Sequence, residues 1–276
     1  MSDELNLALL PPLDIVKQID YQAIVDDISQ RAALENASPA DPSYRTALAA
    51  AYREMMLRQD ANEMCLGVML AFAKGPQLDH LGVTFYRHPD GSPVLRLENE
   101  LDEAFQARLQ QSPEGLSVAG PDDAYKFHAR SASAEVKAVE VNSPFPVQMD
   151  VYILAQTGIP DQPLLDLVEA YLWPRRPVTD QVTVKAAELV DYTVTATLYM
   201  KPGPDGDIAL ATAQERLNIY VEQRRVLKGE VNESSVHWAL TVEGVERVAL
   251  SDWVDIVCAY NQAPNCTGIL LTKAVL

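Results

Sequence analysis

The chain predicts an α+β fold: a helical N-terminal region followed by mixed α+β domains with short strands. Three observations carry this. Apolar residues recur every three to four positions through the first ninety residues. The period switches to two near Val136. Beyond that point strands follow one another with helices segregated between pairs, unlike the strict alternation of a doubly wound sheet. The expected division is 1–90, helical; 91–190, middle α+β; and 191–276, C-terminal α+β.

Leu13, Val16, Ile19, Ala23, Ile24 and Ile28, with Lys17, Asp20, Asp27 and Arg31 between them, predict an amphipathic helix over 13–35. The run Ala37–Pro42 breaks it. Asp41 and Pro42 supply an N-cap and a first-turn proline for a second helix over 43–74. Tyr44, Leu48, Ala51 and Met55 line one side of it, and Gly75-Pro76 stops it. Met64 to Ala73 is apolar around most of the helix circumference, so it is expected to be enclosed by protein. Met64, Leu66, Met69, Leu70 and Phe72 are therefore candidate interface residues. A short capping segment over 78–87 and a turn at His88–Pro93 follow.

Helices are expected over 99–111, 121–132, 161–173, 208–225 and 232–241. Asp122 and Asp123 sit where a helix N-terminus favours negative charge. Expected strands are 136–141, 147–153, 179–187 and 192–200, then 245–250, 254–259 and 269–275. Thr193, Thr195 and Thr197 alternate with Val194, Ala196 and Leu198.

Composition narrows the function. The 276 residues hold 39 acids and 22 bases, a formal charge of −17, with 48% apolar residues. Such a chain is globular, and it lacks the clustered Lys and Arg that phosphate backbones need. The acids are spread over all three regions. The first basic residue is Lys17 and no apolar run, Val68–Ala73 included, exceeds six residues. No signal peptide or membrane span is expected. Cys65, Cys258 and Cys266 read as free thiols rather than a disulfide framework.

No nucleophile elbow, zinc-protease helix, dinucleotide fingerprint or P-loop is present. His80, His88, His128 and His237 lie far apart, with no helical metal spacing. Asp90-Gly91 and Asp205-Gly206-Asp207 read as hairpin turns. Glu98, Glu100, Asp102 and Glu103 read as the solvated first turns of a helix. Trp173-Pro-Arg-Arg-Pro-Val-Thr-Asp180 is the most unusual stretch. Arg175 and Arg176 could pair with carboxylates of another chain or with acids of their own.

Several segments together resemble the baseplate J family of contractile-tailed phages and related injection particles. They are Gly75-Pro-Gln-Leu-Asp-His-Leu-Gly82, Ser117-Val-Ala-Gly120, Tyr125, Ala129-Arg-Ser-Ala-Ser133, Val136–Leu154 with its Ser-Pro-Phe-Pro, and Gly244–Val248. Arg176-Pro-Val-Thr-Asp-Gln-Val182 is the most specific, similar to the family's Arg-Pro-Leu-Thr-Asp-x-Val. Leu78, Asp79, Leu81, Gly82, Gly120, Arg176, Pro177, Thr179 and Asp180 are the signature residues. Gly120-Pro121 departs from the family's commoner Gly-Thr, and Trp173-Pro174 is unusual before the arginines.

The resemblance implies a structural wedge subunit, without catalysis or cofactor. Such a subunit is assembled in the host cytoplasm and carried in the tail baseplate. Its expected partners are a second copy of itself, tail protein I and a small sheath-end wedge protein. It also implies that copies meet near both the N-terminal helices and the C-terminal domain. Nucleic acid and membrane are not expected partners. The competing readings are a cell-wall hydrolase using Glu98, Glu100 or Asp102, and an assembly chaperone absent from the finished particle.

Overall fold

The computed structural model describes residues 10–11, 19–34, 36–117, 120–200 and 206–275. They form an α+β fold of two compact units. One comprises residues up to Arg87 with Gly91–Arg96 and Leu101–Leu109, and the other comprises the rest.

In the first unit, α1 (Tyr21–Arg31) is capped by the Asp20 carboxylate, which accepts from the Gln22 and Ala23 amides. It packs Ile24 and Val25 against Ala51 of α2 (Pro42–Leu66), with Ile28, Tyr44, Leu48 and Met55 around them. Leu13 and Val16, the start of the expected first helix, lie outside the described residues.

The expected helix over 43–74 ends at Leu66. Gly67 caps it, and Val68–Ala73 runs in turns, with Met69 N–H on Leu66 O and Ala73 N–H on Met69 O. A flexible glycine followed by a β-branched valine costs helix stability that the apolar pattern did not register. The helical reading of Val68–Ala73 is therefore corrected. Met64 and Val68 are 64% and 70% exposed, and Leu66, Met69, Leu70 and Phe72 are half-buried.

The expected capping segment is a full helix, α3 (Pro76–Phe85), started by a proline at its first position. It meets α4 (Asp102–Gln111) where Gly82 approaches Phe105 and Leu109, and Leu78, Phe105 and Leu109 are all fully buried. The acids before α4 are not simply solvated. Asp102 accepts from the Gly75 amide, and Glu100, 8% exposed, accepts from the Leu97 amide.

In the second unit, a short 3-10 turn (Glu114–Leu116) leads to α5 (Asp122–Arg130). Strands β1 (Val136–Asn142), β2 (Gln148–Ala155) and β3 (Gln181–Ala186) form a sheet in that order. β1 and β2 are antiparallel. β2 and β3 are parallel, joined through α6 (Gln162–Leu172). Tyr125, Ala129, Val151, Ile153, Val168 and Leu172 fill the core between the sheet and its helices.

Val147 opens β2 at φ 75, a costly conformation for a β-branched residue. Its carbonyl accepts from the Gln181 amide at 2.7 Å, so the strained turn aligns the starts of β2 and β3.

β4 (Glu188–Met200) pairs antiparallel with β6 (Val245–Leu250) and parallel with β8 (Gln262–Val275). α7 (Gly206–Arg224) and α8 (Glu233–Leu240) cover one face of this sheet, with Val194, Leu198, Leu217 and Leu240 in its core. Asp207 lies in the first turn of α7, paired with Lys273, so the expected hairpin at 205–207 is corrected where it is described. The expected strand at 254–259 shrinks to β7 (Ile256–Val257), which pairs with β5 (Glu230–Val231).

The two sheets share the buried cluster Tyr152, Leu154, Ala187, Leu227 and Ala263. Arg225, 8% exposed, donates to the carbonyls of Ala155, Gln156 and Gly158. One guanidinium thus serves the end of β2 from the end of α7.

Candidate functional site: two joints and a candidate interface segment

The signature residues gather into two joints, one in each unit, and both are built for packing. On α3, Leu78 and Leu81 point inward and Gly82 is buried. A Cβ at Gly82 would lie 2.7 Å from Val94 O and 2.8 Å from the Phe105 ring, so only glycine allows this approach. Asp79 accepts from Arg96 Nε at 2.6 Å, while Arg96 Nη2 reaches Asp102 at 2.7 Å. Arg96 also lies over Phe105, 4.9 Å from the ring centre. One arginine thus ties α3 to α4. Arg96 was absent from the sequence-derived set, although a lone base beside four acids was the available signal.

In the second unit, the chain from Arg176 to Asp180 folds against the entry of α5. Gly120 takes φ +72, and a Cβ there would meet Pro177 Cγ at 2.5 Å. The Tyr125 hydroxyl donates to Asp180 Oδ2 at 2.7 Å. Burial, followed by this bond to a carboxylate, raises the phenol's pKa and keeps it a donor. Arg176 Nη1 donates to the carbonyls of Pro177, Val178 and Asp180 and lies 4.1 Å from the Trp173 ring centre. Arg175 stacks 3.7 Å above Tyr171 and donates to that residue's carbonyl. The arginines therefore serve carbonyls and rings of their own chain, an arrangement that neither expected pairing described. Thr179 donates to Asp180 Oδ1 and is exposed.

Beside this joint lies a cleft of about 330 Å³ walled by His88, Pro89, Asp90, Ser117, His128, Pro174 and Arg175. His128 is only 4% exposed. Burial, then Arg175 and His88 nearby, lowers its pKa to about 4. A neutral imidazole of that strength is a weak proton acceptor at neutral pH. Among the described residues, no group of three or more His, Cys, Asp or Glu could hold a metal ion. No described helix is long and apolar enough to cross a membrane.

The candidate interface residues do not converge on either joint. Met64 stands exposed at the end of α2, where Tyr52, Met56 and Leu57 are also exposed.

Comparison with known proteins places these features. Residues 40–87 match the model of the baseplate J-like N-terminal domain, and residues 117–186 match that of the baseplate J-like central domain. The first stretch contains Leu78–Gly82 and the second contains Gly120 and Arg176–Asp180. The chain is also 34% identical to baseplate protein J of Escherichia phage P2 over an alignment of 288 residues, covering 95% of each chain. By that likeness from end to end, the chain belongs to the baseplate J family of phage-tail baseplate structural proteins.

Proposed function

We propose that the chain is a wedge subunit of a contractile tail or related injection particle. In this reading it helps form the ring around the central hub through self-association and contacts with tail protein I and a small sheath-end wedge protein. It assembles in the host cytoplasm and ends in the baseplate. A three-part organisation, 1–90, 91–190 and 191–276, belongs to this reading. The observation that carries it is the coverage of the likeness to baseplate protein J, which extends over 95% of both chains.

The described chemistry supports a structural role. The signature carboxylates Asp79 and Asp180 are bonded to Arg96 and Tyr125. Glu100 and Asp102, carboxylates of the competing hydrolase reading, are engaged by backbone amides.

The test is co-expression of the full chain with the neighbouring tail-operon products. Wedge assembly predicts a stable complex containing tail protein I, and the chain in purified particles. A chain that stays alone through purification and is missing from particles by mass spectrometry would overturn the proposal. Clearing of a peptidoglycan suspension by the chain, lost in Glu100→Gln, would instead support the hydrolase.

A further inference from the structure

The C-terminal sheet ends in an open edge of unusual character. β8 runs from Gln262 to Val275 and stands last in the order β6-β4-β8. From Gly268 onward it pairs in regular parallel register with Thr193–Met200. Among the described residues, its other edge beyond Cys266 meets no strand. An exposed edge this long normally carries charge, proline or a bulge that blocks pairing. Here Ile256–Thr272, seventeen consecutive residues, contains no Asp, Glu, Lys or Arg, the longest such run in a chain of charge −17. Pro264 and the register shift after Cys266 lie at the start of the strand and leave Gly268–Val275 unbroken. Ile269 and Leu271 face the core, while Leu270 on the other face is 59% exposed.

We infer that the open edge of β8 pairs antiparallel with β8 of a second copy of this chain, about a two-fold axis at Leu270. The inference rests on the ring-forming reading above and names the surface by which two copies meet. A strand edge is self-complementary across a two-fold axis, because each backbone donor meets the equivalent acceptor of its copy. Leu270 would meet Leu270, Ile269 would meet Leu271 beside both cores, and Gly268 would meet Thr272. The result is one six-stranded sheet, an ordinary size.

Charge selects both occupant and direction. Two copies of a strongly acidic chain approach best where neither bears charge. The strand's lone base, Lys273, lies opposite Thr267 in the antiparallel register, roughly 20 Å from its equivalent. Parallel pairing in register would set the two ammonium groups side by side.

The test uses the full chain with Cys65, Cys258 and Cys266 replaced by alanine. Leu270→Cys should give a disulfide-linked dimer under mild oxidation, while Thr195→Cys, on the central strand, should not. Leu270→Asp should weaken self-association at least tenfold by sedimentation while leaving the far-ultraviolet circular dichroism of the chain unchanged, because the side chain is exposed within one copy. A dimer that forms without linking through residue 270 would overturn β8 pairing while leaving the wedge proposal intact. A monomer at every concentration, or linkage of residue 270 to a different protein, would also overturn it. Co-purification with tail protein I tests the wedge proposal separately.

Discussion

At the scale of single residues, the joints depend on atoms that are absent as much as on atoms that are present. Gly120 is left-handed and sits against Pro177 and Asp180. Adding a methyl group costs about 1 kcal/mol for the conformation and about 1–3 kcal/mol for the collision. Gly120→Ala should therefore destabilise the chain by roughly 2–4 kcal/mol in urea titration. A loss below about 1 kcal/mol would mean that the Arg176–Asp180 segment shifts freely. His128 carries a pH dependence. Its folded pKa, about 4, lies below the ordinary imidazole value of 6.5, so the unfolded chain binds its proton first as pH falls. Its contribution is fully present above about pH 6.5 and is lost as pH falls toward 4. His128→Gln should flatten the fall of melting temperature across that window. An unchanged slope would assign the acid sensitivity to other groups.

At the scale of elements, legibility followed periodicity and failed where tertiary contacts decided. The period of two revealed β1, β2 and the core half of β4, because Val194, Ala196 and Leu198 alternate with threonines. α5, α6, α7 and α8 were found within two or three residues of their ends. The apolar run after Met64 read as helix because composition cannot see that Gly67-Val68 ends one. β8 was seen only from Ile269, since Ala263 owes its burial to Tyr152 and Leu154 of the first sheet and not to any alternation of its own. The signature stretches at 78–82 and 176–180 marked both joints in the sequence. Their partners Arg96 and Phe105, and the latch from Arg225 to three carbonyls, come from distant positions. No spacing rule connects Arg225 to Ala155, although hydrogen bonds from a buried charged group stabilise by about 1.5–3 kcal/mol each.

At the scale of the whole molecule, the charge of −17 becomes a statement about assembly. Two copies repel over the distance that salt leaves unscreened, about 30 Å at 0.01 M ionic strength and about 8 Å at 0.15 M. The surfaces available for contact are therefore those poor in acids, and the open edge of β8 qualifies, whereas the exposed Met56, Leu57 and Met64 of α2 stand among the exposed Asp60 and Glu63. Contacts of this kind bury apolar and backbone groups whose attraction does not depend on salt, so salt acts only on the repulsion. Self-association should strengthen as sodium chloride rises from about 10 mM to about 150 mM and level off once the screening length is shorter than the separation of the acidic faces. Sedimentation across that series measures it. The opposite trend, tighter association at low salt, would show that ion pairs hold the copies together, and some of the scarce bases would then lie in the interface.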